Sequence, residues 1–198
     1  MRTDTNEWVL RKELSRISIN VYKRGLVGGT GGNVSVRLED GHLLITPSGV
    51  SLADTTVDNI VKIDMESLEW VENKPYIPSK EYKFHVEILK ARQDINAVVH
   101  CHPPFATAYA VRKIDIPAVT DAAFKQPKMP HVPFAPSGSE RLVDNIRTVV
   151  QEQKNYRVLL LDQHGIVTVG EDLVQAYNFA DLTEEMARIA WLTYLIKD

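Results

Sequence analysis

Ala97-Val98-Val99-His100-Cys101-His102-Pro103-Pro104 reads as a β-strand that runs straight into a His-x-His pattern. Side chains alternate faces along a strand, so His100 and His102 project together and Cys101 projects the other way. Two imidazoles on rigid backbone form two points of a metal claw. A third candidate, His164, stands in Leu159-Leu160-Leu161-Asp162-Gln163-His164-Gly165, again at the end of an apolar, strand-like run. Three histidines with one open coordination position describe a catalytic metal rather than a structural one. Taken alone, the His-x-His pair fits a strand end packed against a helix equally well.

Outward from this stretch, the elements read helix, strands, helix, strand, helix, strands, helix. Leu10, Leu14, Ile17 and Val21 form one helical stripe that stops at Gly25. Val34–Leu38 alternates as a strand, turns at Asp40-Gly41 and returns as Leu43–Thr46, so part of the sheet is antiparallel. Val61–Met65 and Leu68–Val71 suggest a second hairpin. Ser79 is the expected N-cap of a helix running to Arg92. A short helix follows Pro103-Pro104 through Tyr109, and residues 116–136, with five prolines, read as loops around short strands. Leu142, Ile146 and Val149 mark another amphipathic helix. Strands at 157–161 and 166–169 flank His164, and a long helix over 173–195 closes the pattern. No repeat or linker interrupts it, and the expectation is one α/β domain over residues 1–198.

Composition narrows the function. The chain has 198 residues, 44% hydrophobic and 25% charged, with a net charge of −3 and no Lys/Arg cluster, so nothing favours nucleic acid as a partner. A single cysteine excludes an internal disulfide and fits a reducing compartment. Met1–Glu7 lacks the apolar core of a signal peptide, and no apolar run approaches the roughly 20 residues that span a bilayer. A cytoplasmic protein without membrane contact is expected.

Other motifs carry chemistry. Gly28-Gly29-Thr30-Gly31-Gly32-Asn33 lies between helix and strand, the reverse of the dinucleotide fingerprint, and lacks the Lys-Ser/Thr of a P-loop. Its glycines can bring bare N–H groups to an anion, or it can be an ordinary loop. Thr46-Pro47-Ser48-Gly49 is a second small-residue turn. Pro78-Ser79-Lys80-Glu81 opens a helix, where N–H donors and the dipole favour anions. Glu81, His85 and Ile88 share a face, so Glu81 is either paired or placed for work, and His85 is expected to pack or to support a ligand. His42 and His131 read as solvent-facing.

In order and spacing, Gly29–Ser35, Thr46–Gly49, Pro78–Glu81, His100–Pro103 and Gln163–Gly165 resemble the class II aldolase/adducin family, nearly end to end. The resemblance implies a three-layer α/β/α sandwich with a largely antiparallel central sheet. It also implies a C4 homotetramer with interfacial active sites and zinc or a similar divalent ion, with manganese or cobalt as alternatives. Carried over by motif, His100, His102 and His164 are metal ligands, and Glu81 is the catalytic acid/base that can also ligate the metal. Gly32, Asn33, Ser48, Gly49 and Ser79 match the substrate phosphate site, with Lys80 beside them.

Three features depart from the fuculose-phosphate members. Lys80 replaces their second serine, as in members that decarboxylate 3-oxo-tetronate 4-phosphates. Ile116-Pro117-Ala118 leads to Val119-Thr120-Asp121 without their tyrosine, and the sequence ends at Asp198 without their further tyrosine. The expected function is a metal-dependent lyase on a small phosphorylated sugar or sugar acid, a sugar-phosphate aldolase in the first place. A decarboxylase, a ribulose-phosphate 4-epimerase and a non-enzymatic adducin-like module follow in that order.

Overall fold

The computed structural model describes residues 2–70 and 75–196. Among these, seven strands form one sheet in the order β3-β2-β1-β4-β7-β6-β5. They are β1 (Asn33–Arg37), β2 (His42–Ile45), β3 (Val61–Asp64), β4 (Ala97–Cys101), β5 (His131–Val132), β6 (Val158–Leu161) and β7 (Gly165–Gly170). Every neighbouring pair is antiparallel except β5 with β6. Helices α1 (Arg2–Lys23), α3 (Pro104–Arg112) and α6 (Leu173–Leu195) cover one face, and α2 (Tyr82–Ala91) and α5 (Glu140–Glu152) cover the other. A one-turn helix, α4 (Asp121–Phe124), sits in the proline-rich connection. The result is a three-layer α/β/α sandwich with a mostly antiparallel sheet.

The period-two alternation of β4 organises both cores. Ala97, Val99 and Cys101 join the apolar cluster under α1, α3 and α6, while Val98 joins the one under α2 and α5. All five residues of the strand are buried. His100, in step with Val98, lies edge-on to Phe84 of α2 with ring centroids 5.7 Å apart. Cys101 is on the opposite face, as alternation requires.

Several expected elements differ in detail. The helix after Pro78 begins at Tyr82 rather than at Ser79. Residues 77–79 stay extended because Ser48 N–H donates to Ile77 O and Ser79 N–H to Thr46 O, stitching them to the turn after β2. The second hairpin has no full return strand: Leu68 turns with φ 62°, and only an Ile63–Trp70 bridge forms, while Val71 lies outside the described residues. The helix after Pro103 runs past Tyr109 to Arg112. His42 and His131 are half-buried rather than solvent-facing, since Nδ1 of His42 lies 3.0 Å from Asp40 and Nδ1 of His131 lies 2.8 Å from Asp162.

The exit from the His-x-His strand is held from a distance. Pro103 gives α3 no side-chain cap, and the carboxylate of Glu184 on α6 supplies it, accepting from Phe105 N–H (3.0 Å) and Ala106 N–H (2.9 Å). Replacing a capping carboxylate leaves buried donors unpaired. Glu184→Ala should therefore lose about 1–2 kcal/mol in urea unfolding, with a lower midpoint and unchanged slope.

Candidate metal centre and active site

Two chain segments bring three histidines together at one end of β4. His100 is the last but one residue of β4, His102 follows the strand directly, and His164 sits in the Asp162-Gln163-His164 turn joining β6 to β7. There Gln163 adopts φ 57° and His164 N–H closes the turn on Leu161 O. One ring nitrogen from each histidine lies within 4.8 Å of the other two. The sequence expectation that distant histidines converge is met in geometry.

Proton positions decide what this cluster can hold. His100 Nδ1 lies 2.9 Å from the Ile166 carbonyl, which can only accept, so Nδ1 carries the proton and Nε2 presents a lone pair. That Nε2 is 3.0 Å from His102 Nε2 and 3.3 Å from Glu81 Oε2, while Glu81 Oε1 is 3.6 Å from His164 Nε2. Electron-rich atoms therefore crowd one point with few protons to separate them. Burial lowers the pKa of all three imidazoles, with His100 down to about 3, so protonation does not relieve the crowding near neutral pH. A divalent cation with ligand distances of about 2.0–2.1 Å would relieve it, and three neutral imidazoles with a carboxylate alongside suit such an ion.

His102 lies beyond the strand, so neighbours rather than pairing hold its ring. A Cβ on Gly31 would stand 2.9 Å from His102 Nδ1, and one on Gly165 would stand 2.6 Å from its Cδ2 and 2.5 Å from Cys101 O. The ring occupies a slot that only these two glycines leave open. Gly165→Ala should push the ring out of line and weaken Zn2+ binding at least tenfold in competition titrations, with the far-UV circular dichroism unchanged.

Glu81 stands at the cap position of α2, with each carboxylate oxygen separately held. Oε2 accepts from Asn33 Nδ2 (2.9 Å) and Oε1 from Ser137 Oγ (2.6 Å). Behind Asn33, its Oδ1 pairs with His85 Nε2, and His85 Nδ1 lies 2.7 Å from Ser35 Oγ. The simplest satisfied pattern runs from Ser35 O–H to His85, from His85 N–H to Asn33, and from Asn33 N–H to Glu81. His85 thus supports the carboxylate and does not reach the histidine trio. Burial works to raise the Glu81 pKa, but the facing His100, the Ser137 and Asn33 hydrogen bonds and His164 outweigh it and hold the carboxyl at about 2.

The residues matched to an anion site gather on the neighbouring turns. Thr46 Oγ1 accepts from Val34 N–H, tying the turn after β2 to β1 beside Asn33. The stitches to residues 77–79 set Ser48 and Gly49 against Ser79. Ser48, Gly49 and Lys80 are exposed, whereas Ser79 is buried and its Oγ accepts from Glu81 N–H at 3.4 Å. Gly32, at φ 75°, packs so tightly that a Cβ would come within 2.6 Å of Val27 and 2.8 Å of the His100 carbonyl. Asn33 is only 3% exposed and its amide already serves His85 and Glu81, so most of its bonding capacity is turned inward. Ser137 was not legible as a site residue. It lies 56 positions from Glu81 in a loop with no spacing signature, and only the packing of α5 on α2 brings it there.

This buried network fixes an acid response. His85 is held at about 3 by burial, with His100 and Glu81 as further influences, whereas unfolded histidine titrates near 6.5. Between those values the unfolded chain binds protons that the folded chain refuses, so stability falls as pH falls through that window. Glu81 adds the same trend between 4.5 and about 2. With chelator present, urea-derived stability should decline by more than about 1 kcal/mol per pH unit from pH 6 to 4. A flat profile there would contradict the neutral state of the buried rings.

Comparison with known proteins places this geometry. Residues 12–191 match the model of the Class II Aldolase and Adducin N-terminal domain. The L-fuculose phosphate aldolase of Haemophilus influenzae is 35% identical over 193 residues, covering 96% of this chain and 85% of that protein. The 5-methylthioribulose-1-phosphate/5-deoxyribulose-1-phosphate aldolase of Rhodospirillum rubrum is 38% identical over 186 residues, with 92% and 80% covered. Among solved structures, YgbL of Escherichia coli, a candidate aldolase, epimerase or decarboxylase, superposes with a TM-score of 0.84 at 29% identity, covering 94% of this chain and 90% of its own.

Proposed function

The chain belongs to the class II aldolase and adducin N-terminal domain family, and on that premise we propose that it is a divalent-metal-dependent aldolase cleaving a small phosphorylated sugar. The observation that carries this reading is the intact cluster: three imidazoles aimed at one point, with an anionic carboxylate 3.3 Å and 3.6 Å from two of them. A non-enzymatic adducin-like module has no need of that arrangement.

In this reading His100, His102 and His164 hold the ion, Zn2+ first among candidates, with Mn2+ or Co2+ able to take its place. When bound, it supplies Lewis-acid stabilisation of the negative charge that develops on a substrate oxygen during carbon–carbon cleavage. Ser48, Gly49, Ser79 and the loop at Gly32 and Asn33 would seat the phosphate and so fix the scissile bond relative to the histidines. Glu81, an anion next to the reacting carbons, would take or return the proton of the hydroxyl or carbon that reacts.

Lys80 favours one second reading. It is exposed beside His164, and among the described residues no hydrogen bond or ion pair holds its ammonium, so it suits a substrate carboxylate as well as a phosphate. A decarboxylase acting on a 3-oxo-tetronate 4-phosphate would use the same site, with Glu81 returning a proton to the enediolate. The wider proposal is one domain over residues 1–198, a homotetramer with interfacial sites, and a cytoplasmic location. The exposed Trp191, Tyr194, Leu195 and Ile196 support self-association, and so does His164 Nδ1, buried without a partner among the described residues. No described helix is long and apolar enough to cross a membrane.

Metal-loaded protein should be incubated with ketose 1-phosphates, L-fuculose 1-phosphate among them, and with 3-oxo-tetronate 4-phosphates. Release of dihydroxyacetone phosphate with an aldehyde marks the aldolase, and carbon dioxide marks the decarboxylase. Glu81→Gln should lower kcat by at least about 100-fold while retaining bound metal. His164→Ala should lose both metal and activity. Full turnover in either variant would remove that residue from its role.

A further inference from the structure

We propose that Ser137 is a positioning residue for the reaction: its hydroxyl fixes the plane of the Glu81 carboxylate from the side opposite Asn33. The inference rests on the reading of Glu81 as the acid/base. The 2.6 Å Oγ–Oε1 separation lies in the range of charge-assisted O–H···O⁻ bonds, which are about twice as strong as neutral ones. With Oε2 held by Asn33 at 2.9 Å, rotation of the carboxylate about its last bond breaks both contacts. Oε1 is also the oxygen that faces His164, so losing the serine frees the half of the carboxylate nearest that ring.

The contact is built into the packing. Three links join residues 137–140 to residues 80–83: Ser137 to Glu81, Gly138 to Lys80, and Glu140 to Lys83. Gly138, at φ 74°, lies so close to the Lys80 stem that a Cβ would stand 3.2 Å from its Cγ and Cδ. Ser139 then caps α5 by accepting from Leu142 N–H, and Arg147 on the same helix pairs with Glu87 of α2 at 2.8 Å. The end of the loop and the helix it enters are thus both pinned to α2 and its cap residue Glu81. An acid/base must be held within hydrogen-bond reach of the proton that it moves, and this arrangement does so from two independent parts of the fold.

The test compares Ser137→Ala with Ser137→Thr, which keeps the hydroxyl. The probe is dihydroxyacetone phosphate in D2O, whose C–H exchange next to the carbonyl reports proton abstraction without an aldehyde partner. Ser137→Ala should lower the exchange kcat at least tenfold with KM within about twofold, and Ser137→Thr should recover most of the rate. In Co2+-loaded protein, the visible absorption spectrum should shift for Ser137→Ala and not for Ser137→Thr. Wild-type kcat and spectrum in Ser137→Ala, or an equal loss in both variants, overturns the assignment of Ser137. Exchange as fast in Glu81→Gln as in wild type overturns the Glu81 reading itself, and the assignment of Ser137 with it.

Discussion

The hydrogen bond from His100 Nδ1 to the Ile166 carbonyl is the contact from which the site follows. Antiparallel pairing of β4 with β7 puts His100 opposite Val167 and its ring beside that carbonyl. Because the carbonyl can only accept, one proton is placed and one lone pair is aimed. Burial then keeps the ring neutral. Placement, tautomer and charge state of His100 all come from strand register, which the rest of the sheet fixes by burying alternate residues in two separate apolar cores.

A second constraint is the buried polar line of Ser35, His85, Asn33 and Glu81. None of the four is more than 4% exposed. Buried polar networks of this kind rarely add net stability over well-packed apolar side chains, although breaking one is costly because orphaned partners remain. Stability alone does not account for it. Its effect is directional: a chain of hydrogen bonds from Ser35 through His85 and Asn33 ends on one carboxylate oxygen, so that Glu81 faces the histidines ionised. The acid sensitivity of such a core is the thermodynamic consequence of that arrangement.

Much of this was readable from residues, and the failures have physical causes. Strand alternation correctly sent Cys101 away from the histidines, because a period of two needs no tertiary information. Glu81, His85 and Ile88 were rightly grouped on a buried face. The cap falls at Glu81 rather than Ser79 because residues 77–79 are held extended against the turn after β2, through long-range bonds invisible to local capping rules. The second hairpin failed because Leu68–Trp70 meets β3 through a single bridge. The resemblance matched Asn33 to an anion site, and the fold adds a link that no motif spacing shows: its side-chain amide holds Glu81 and His85. Ser137 could not be found at all, since its role depends on helix α5 packing against α2 rather than on any motif.

The division of the site between two structural supports bears on how its chemistry can vary. The histidines stand on β4 and on the β6–β7 turn, in the middle of the sheet, where register is fixed from both sides. Ser48, Gly49, Ser79 and Lys80 stand on turns that are stitched to each other and, through Thr46, to β1. A change at an exposed position such as Lys80 alters the charge offered to a substrate, yet no strand pairing passes through it. The arrangement of the histidines can therefore stay constant while the exposed turns change. A lysine in place of a serine then changes the charge on those turns, with the histidine cluster undisturbed.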